Sequence, residues 1–248
     1  MIDSIKEYWH SKGSMPAEKP ASEAYDAWSA SYDCQPGNLM LDLDKIVFTD
    51  LIKNVTLENK RVADVGCGTG RHWEKLYSKQ PNLVIGFDVS EGMLLQLARK
   101  FPAAITKHIT NNLLEMVPNT FVDCLVSTLT IAHIKNIQEA IGAWSRITKD
   151  GGDLIITDFH PAILSKGGKR SFKHEGKSMA VTNYVHSLPK VKKAFAKHGF
   201  AVIKQEEKYV NEEVKHYYAA QNALHVYERY KNMPVIYGLH LKKEYAAE

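Results

Sequence analysis

Arg61-Val-Ala-Asp-Val-Gly-Cys-Gly-Thr-Gly-Arg71 decides the fold of this chain. Residues 61–65 read as a short apolar strand with an acid, Asp64, at its end, and Gly66, Gly68 and Gly70 follow at alternate positions. Glycine at that spacing lets the backbone turn sharply out of a strand and approach a ligand where a Cβ would collide. His72 to Lys79 then reads as the start of a helix.

The acid before the glycines selects the ligand. A dinucleotide would bring a doubly charged pyrophosphate to this turn, and Asp64 beside it would be an electrostatic cost. Arg71 also stands where the dinucleotide pattern needs its third glycine. A cationic ligand reverses the sign. S-adenosylmethionine carries a sulfonium and an ammonium in its methionine half, which a carboxylate at a strand end attracts. Asp88 closes the next apolar run, Leu83-Val-Ile-Gly-Phe87, and an acid there can accept from both ribose hydroxyls. Ser90 and Glu91 cap the following helix, and Met93 just inside it either rests on the adenine or packs in the core.

These motifs resemble the class I S-adenosylmethionine-dependent methyltransferases, specifically the small-molecule, type 11-like group that includes the menaquinone- and biotin-pathway enzymes. Asp64 to Gly70 is similar to the first motif of that family, Asp88 to its ribose-binding acid, and Phe121 to Ser127 to its fourth strand. Trp144 to Gly152 followed by Asp153 to Asp158 is similar to its helix, double-glycine turn and fifth strand. Where the family often has an adenine-binding aspartate, this chain has Asn111-Asn112-Leu113; Asn112 can serve the same amine, or be a turn residue, and its alignment against Asn111 is open. Tyr25 to Asp33 resembles the tyrosine-rich lid that covers the cofactor. The cofactor set implied is Tyr25, Tyr32, Asp64, Gly66, Cys67, Gly68, Gly70, Asp88, Val89, Met93, Asn112, Leu113 and Thr128, with Trp28 as packing.

The rest of the pattern is that of an α/β protein with a doubly wound, mostly parallel sheet. Strands fall near 61–65, 83–87, 104–109, 121–127 and 153–158, a helix precedes the first over 40–54, and 211–231 reads as one helix. The resemblance implies a seven-stranded Rossmann-like sheet with a C-terminal antiparallel strand, 200–205 and 235–241 being the reversed pair that ends it. The 248 residues are expected to form one methyltransferase domain, with a lid segment over 1–40, its first 20 residues a loose helix and linker, and a substrate-cap insertion over 159–187. Within the insertion, 170–173 and 178–183 read as a hairpin turning at Glu175-Gly176. Its basic residues Lys166, Lys169, Arg170, Lys173 and Lys177 either suit an anionic acceptor or form a solvated face.

Net charge is only +4, with lysines spread along the chain, which does not point to nucleic acid. Ser127 to His133 also lacks the Asn/Asp-Pro-Pro-aromatic turn of base-amine methyltransferases. No apolar run suits a membrane span or a signal-peptide core, so a cytoplasmic monomer or homodimer is expected. Cys34, Cys67 and Cys124 suggest neither disulfides nor a zinc cluster, and no metal is expected.

The expected reaction moves a methyl group from S-adenosylmethionine to an oxygen, nitrogen or carbon of a small, anionic or phenolic metabolite. A hydroxyl or acidic carbon needs a base, and histidine suits neutral pH. His133, His160 and His186 are the candidates, with His160 favoured and Asp158 available to orient it. The competing readings are a catalytically silent S-adenosylmethionine-binding scaffold or regulatory protein and, more weakly, a nicotinamide oxidoreductase.

Overall fold

The computed structural model describes residues 16–245, so residues 1–15 of the expected helix and linker lie outside the described residues. From the N-terminal side the elements are β1 (Ala17–Lys19), α1 (Ala21–Trp28), α2 (Leu39–Ile52), β2 (Arg61–Val65), α3 (Trp73–Tyr77), β3 (Leu83–Asp88), α4 (Glu91–Lys100), β4 (Ile105–His108) and β5 (Val122–Thr128). They continue with α5 (Ile137–Ile147), β6 (Thr148–Phe159), α6 (Pro161–Ser165), β7 (Ser171–His174), β8 (Lys177–Val181), α7 (Leu188–Lys197), β9 (Phe200–Tyr209), α8 (Lys215–Ala219), α9 (Leu224–Tyr230) and β10 (Pro234–Lys243).

Seven strands form the main sheet in the order β4-β3-β2-β5-β6-β10-β9. Its central strands are apolar throughout because both faces are covered. Val62, Cys124 and Ile155 pack with α2 and Trp73 on one side. Their neighbours Ala63, Leu125, Leu154 and Ile156 pack with Trp144 of α5 and Phe195 of α7 on the other. Strand alternation thus divides one sequence run between two cores. The first five strands in this order pair in parallel, and β10 runs antiparallel to both β6 and β9. β10 is therefore the C-terminal antiparallel strand that the resemblance implies, and β9 beside it runs in the direction of the parallel set.

The expected 211–231 helix is broken. A 3-10 turn at Glu212–Val214 leads into α8, and Asn222, with φ of +52°, separates α8 from α9. An asparagine in the left-handed region ends a helix much as glycine does.

A small second sheet, β1-β8-β7, joins the two segments expected to close the site. β7 and β8 are the expected hairpin, turning through Glu175 (φ +50°) and Gly176 (φ +76°), both left-handed as a tight I′ turn requires. β1 adds in parallel to the free edge of β8. Ala24, Trp28 and Tyr32 share a core with Phe172, Val181 and Met93, and the Trp28 and Phe172 rings stack with centroids 4.5 Å apart.

Candidate active site

A cleft of about 660 Å³, counted to its open mouth, lies at the carboxyl ends of the central strands. Open α/β sheets bind ligands there. Gly66, Gly68, Asp88 and Val89 form its base, Ile109 and Asn112 one side, and Thr128 to Thr130 with His133 and Ile134 the other. Ala21, Tyr25 and Tyr32 form the roof, and Met93 completes the wall.

The glycine turn is built for close approach. Gly66 has φ of +73°, and a Cβ on it would fall 2.2 Å from Thr130 Oγ1. Gly68 has φ of +52° and its missing Cβ faces open space at the cleft base. Asp88 is buried, accepting from Gly68 N at 2.7 Å through Oδ2 and from Ser90 N at 2.9 Å through Oδ1. Burial raises its pKa while these amides work against the shift. Each carboxylate oxygen keeps lone-pair capacity for a hydroxyl donor.

Asp64 does not line the cleft. Its Oδ2 accepts from Trp73 Nε1 at 2.8 Å, and its Oδ1 is buried without a partner among the described residues. Burial pushes its pKa up to about 7, opposed by the Trp73 hydrogen bond. A nearby cation would relieve that penalty.

The sequence alone left Asn111 and Asn112 undecided. Asn112 lines the cleft, whereas exposed Asn111 folds back to accept from Leu113 N at 2.9 Å. Met93 packs in the lid core and also lines the cleft.

Some expected cofactor residues point elsewhere. Cys67 Sγ sits where a Cβ on Gly86 would be, directed into the sheet core beside Trp73. Gly70 leaves room for Leu97 and Phe101 rather than for a ligand. Leu113 presents its carbonyl to Arg146 Nη2 at 3.1 Å.

The histidines are reordered as well. His160 is the N-cap of α6: its Nδ1 accepts from Ala162 N at 3.2 Å, with Pro161 at the first helical turn, and its ring meets Tyr237 edge-on. It lies outside the cleft lining, and Asp158 does not orient it. Asp158 instead accepts from Ala132 N at 2.7 Å and Phe159 N at 2.6 Å, tying β6 to the turn that carries His133. His186 Nε2 bonds Ile134 O at 2.8 Å and is likewise outside the lining.

His133 is the histidine in the cleft. Its Nδ1 donates to Thr182 O at 3.0 Å, which leaves Nε2 as the acceptor for Tyr25 Oη at 2.9 Å. Burial, reinforced by the Arg170 charge, lowers its pKa to about 4, so the ring is neutral. Sequence reading missed Ala21, Ile109, Leu129, Thr130 and Ile134 in the lining. Ile109, just past β4, was findable from its strand-end position, but Leu129, at φ of +53°, carries no residue-type signal for its conformation.

The lid is fastened to this base. Asp26 of α1 accepts from Ser90 Oγ at 2.6 Å and Gly92 N at 2.9 Å, at the N-terminus of α4. Asp33 accepts from Thr69 Oγ1 at 2.8 Å and Lys100 Nζ at 2.8 Å. Arg71 does not enter the turn as a ligand group: with His72 and Thr157 it donates to buried Asp44 of α2. Although burial opposes it, these partners hold the Asp44 carboxyl well below the usual range.

A cleft based on the buried Asp88 carboxylate and a glycine cradle, with the unpartnered Asp64 Oδ1 on the strand that leads into that cradle, fits a cationic adenosyl cofactor. Residues 63–156 match the methyltransferase domain family. Over 236 residues the chain is 28% identical to an uncharacterized methyltransferase of Emericella nidulans, covering 77% of this chain and 82% of that one. It is 26% identical to the mitochondrial ubiquinone biosynthesis O-methyltransferase of Dictyostelium discoideum over 64% of this chain and 51% of that one. It is 32% identical to the tRNA U34 carboxymethyltransferase of Helicobacter acinonychis over 46% of each. The chain thus spans about half the length of these last two relatives. The fold is shared with an S-adenosylmethionine dependent methyltransferase from Mesorhizobium loti, at TM-score 0.63 and 16% identity over 82% of this chain and 99% of that one. It is also shared with magnesium protoporphyrin IX methyltransferase from Synechocystis PCC 6803 with bound S-adenosylhomocysteine, at TM-score 0.59 and 17% identity over 90% and 95%. Residues 63–156 thus match a methyltransferase domain, carried on the fold of S-adenosylmethionine-dependent methyltransferases.

Proposed function

We propose that the protein methylates a small metabolite at an oxygen, nitrogen or carbon whose proton is removed through Tyr25 and His133. The observation that carries this reading is the neutral His133 in the cleft, its Nε2 presented to Tyr25 by the Thr182 carbonyl. Asp88 would hold the cofactor's ribose, Asn112 and Met93 its adenine, and Gly66 with Gly68 its methionine half, on which Asp64 would act through its charge from outside the cleft lining. When bound, the cofactor supplies an electrophilic methyl group. Tyr25 Oη takes the acceptor's proton as its own passes to His133 Nε2, and the Thr182 carbonyl steadies the imidazolium through Nδ1–H.

A roof made by Ala21 and Tyr25 of α1, with Tyr32 just beyond it, favours a compact acceptor over a polymer. Among the cap cations, Lys166, Lys173 and Lys177 are exposed, Lys169 pairs with Glu18, and Arg170 alone is buried toward the lid. The test is turnover with a panel of phenolic and carboxylate metabolites, alongside calorimetry with S-adenosylhomocysteine. His133→Ala is expected to lower turnover about 100-fold or more while changing cofactor affinity less than about threefold. Micromolar cofactor binding with no transfer to any acceptor would favour the scaffold reading.

A further inference from the structure

His133 is oriented by a carbonyl that its own turn does not supply. The Thr182 carbonyl bonded to its Nδ1 belongs to a strap, residues 182–184, that leaves β8 and docks on the turn Ile131–His133. A histidine's tautomer is set by the hydrogen bond that its other nitrogen makes. Nε2 therefore faces Tyr25 as a bare acceptor only while the strap stays docked.

The strap is tied on both sides. Toward the turn, Tyr184 N donates to Ala132 O at 2.7 Å, and His186 Nε2 bonds Ile134 O at 2.8 Å. Toward β1, Thr182 N and Oγ1 both donate to Lys19 O, at 2.9 and 3.0 Å. Asn183 between them adds no tie, since both polar atoms of its side chain are buried without a partner.

The turn beneath the strap rests on one side chain. Past Leu129 it has, among the described residues, a single hydrogen bond to a neighbouring strand of the main sheet, from Ala132 N to Asp158 Oδ2 at 2.7 Å. Ala132 thus joins two structures, its N–H held by the end of β6 and its C=O holding the strap. Asp158 is 1% exposed, and its other oxygen accepts from Phe159 N at 2.6 Å, so the carboxylate is pinned. Burial raises its pKa to about 7 against the pull of these two amides, and above that pH the charged, more strongly accepting form prevails.

We propose that Asp158 positions His133 for proton transfer, by clasping Ala132 and so holding the strap whose carbonyl sets the imidazole tautomer. The inference rests on the proton route given under Proposed function and deepens it. The sheet and the acceptor cap prepare His133 together: a cap that lifts leaves Nδ1 unpaired and the Tyr25 proton without a fixed acceptor. Asp158 touches no reacting atom and acts only through Ala132 and the strap.

The test is heteronuclear NMR of the full chain with isotope-labelled histidine, at pH 8, for wild type, Asp158→Asn and Tyr184→Pro. The His133 signals are assigned by their loss in His133→Gln. Wild type is expected to show a protected Nδ1–H and a bare Nε2. Asp158→Asn keeps the size of the side chain but offers one accepting oxygen to two amides. It should turn His133 into a mixture of tautomers whose ring N–H exchanges with solvent at least about tenfold faster. Tyr184→Pro removes the donor to Ala132 O, leaves Asp158 intact and should do the same, so the test survives if Asp158→Asn fails to fold. A His133 spectrum left unchanged by either substitution overturns the inference, whatever happens to the melting temperature, as does wild-type His133 with its proton on Nε2. Turnover that survives His133→Ala removes the Proposed function and the proton-transfer role with it, and is told apart because the spectra do not depend on turnover.

Discussion

Asp64 is held near its titration point at neutral pH, and that makes it a reporter. Its folded pKa, about 7, lies above the ordinary 3.8, so the folded state binds the extra proton and this stabilisation is lost as pH rises through 7. Asn at this position keeps an acceptor for Trp73 without a charge. The stability of Asp64→Asn relative to wild type should therefore increase from pH 5 to pH 8, by on the order of 2 to 4 kcal/mol in denaturant titrations without cofactor. His133 runs the other way. Its folded pKa of about 4 lies below the ordinary 6.5, so the unfolded chain takes up the proton first and stability falls as pH drops from 6.5 toward 4. At Asp88, Ala should cost about 1.5 to 3 kcal/mol of S-adenosylhomocysteine affinity by calorimetry. Asp88, Gly66, Gly68 and Asn112 were legible because each is tied to a strand end. His160 was misjudged because a histidine before proline at the end of a strand can be a base or a helix cap, and the cap geometry needed the fold to show it.

The lid helix α1 is held by few contacts that matter. Asp26 satisfies two donors at the start of α4, where the helix dipole also favours a negative charge. Asp26→Ala should lower stability by about 1 kcal/mol and cofactor affinity by roughly tenfold, read by thermal melts and calorimetry. The Tyr25, Trp28, Tyr32 stripe announced this helix through its spacing, and the turn at Glu175-Gly176 announced the hairpin. What the sequence could not show was that the stripe packs on that hairpin, because Trp28 against Phe172 joins residues far apart in the chain. The break at Asn222 was equally hidden, since the tyrosines of α8 and α9 keep an apparently continuous helical period.

For the molecule as a whole, the doubly wound parallel sheet followed from apolar runs separated by helical patterns, since such runs are buried on both faces, but the order of its strands did not. A ligand that binds this sheet only when folded must stabilise it. S-adenosylhomocysteine at about 100 times its Kd should add about 2.7 kcal/mol, a rise in Tm of roughly 5 to 11 °C. β1 stayed invisible, for Ala17-Glu-Lys19 is too short to carry a period. Yet this strand covers the parallel edge of β8. Its loss would leave that edge with unpaired amides and carbonyls, a template for another chain. A version of the protein starting after Pro20 should therefore self-associate through β8 in light scattering, so the first strand guards against aggregation as well as helping to close the cleft.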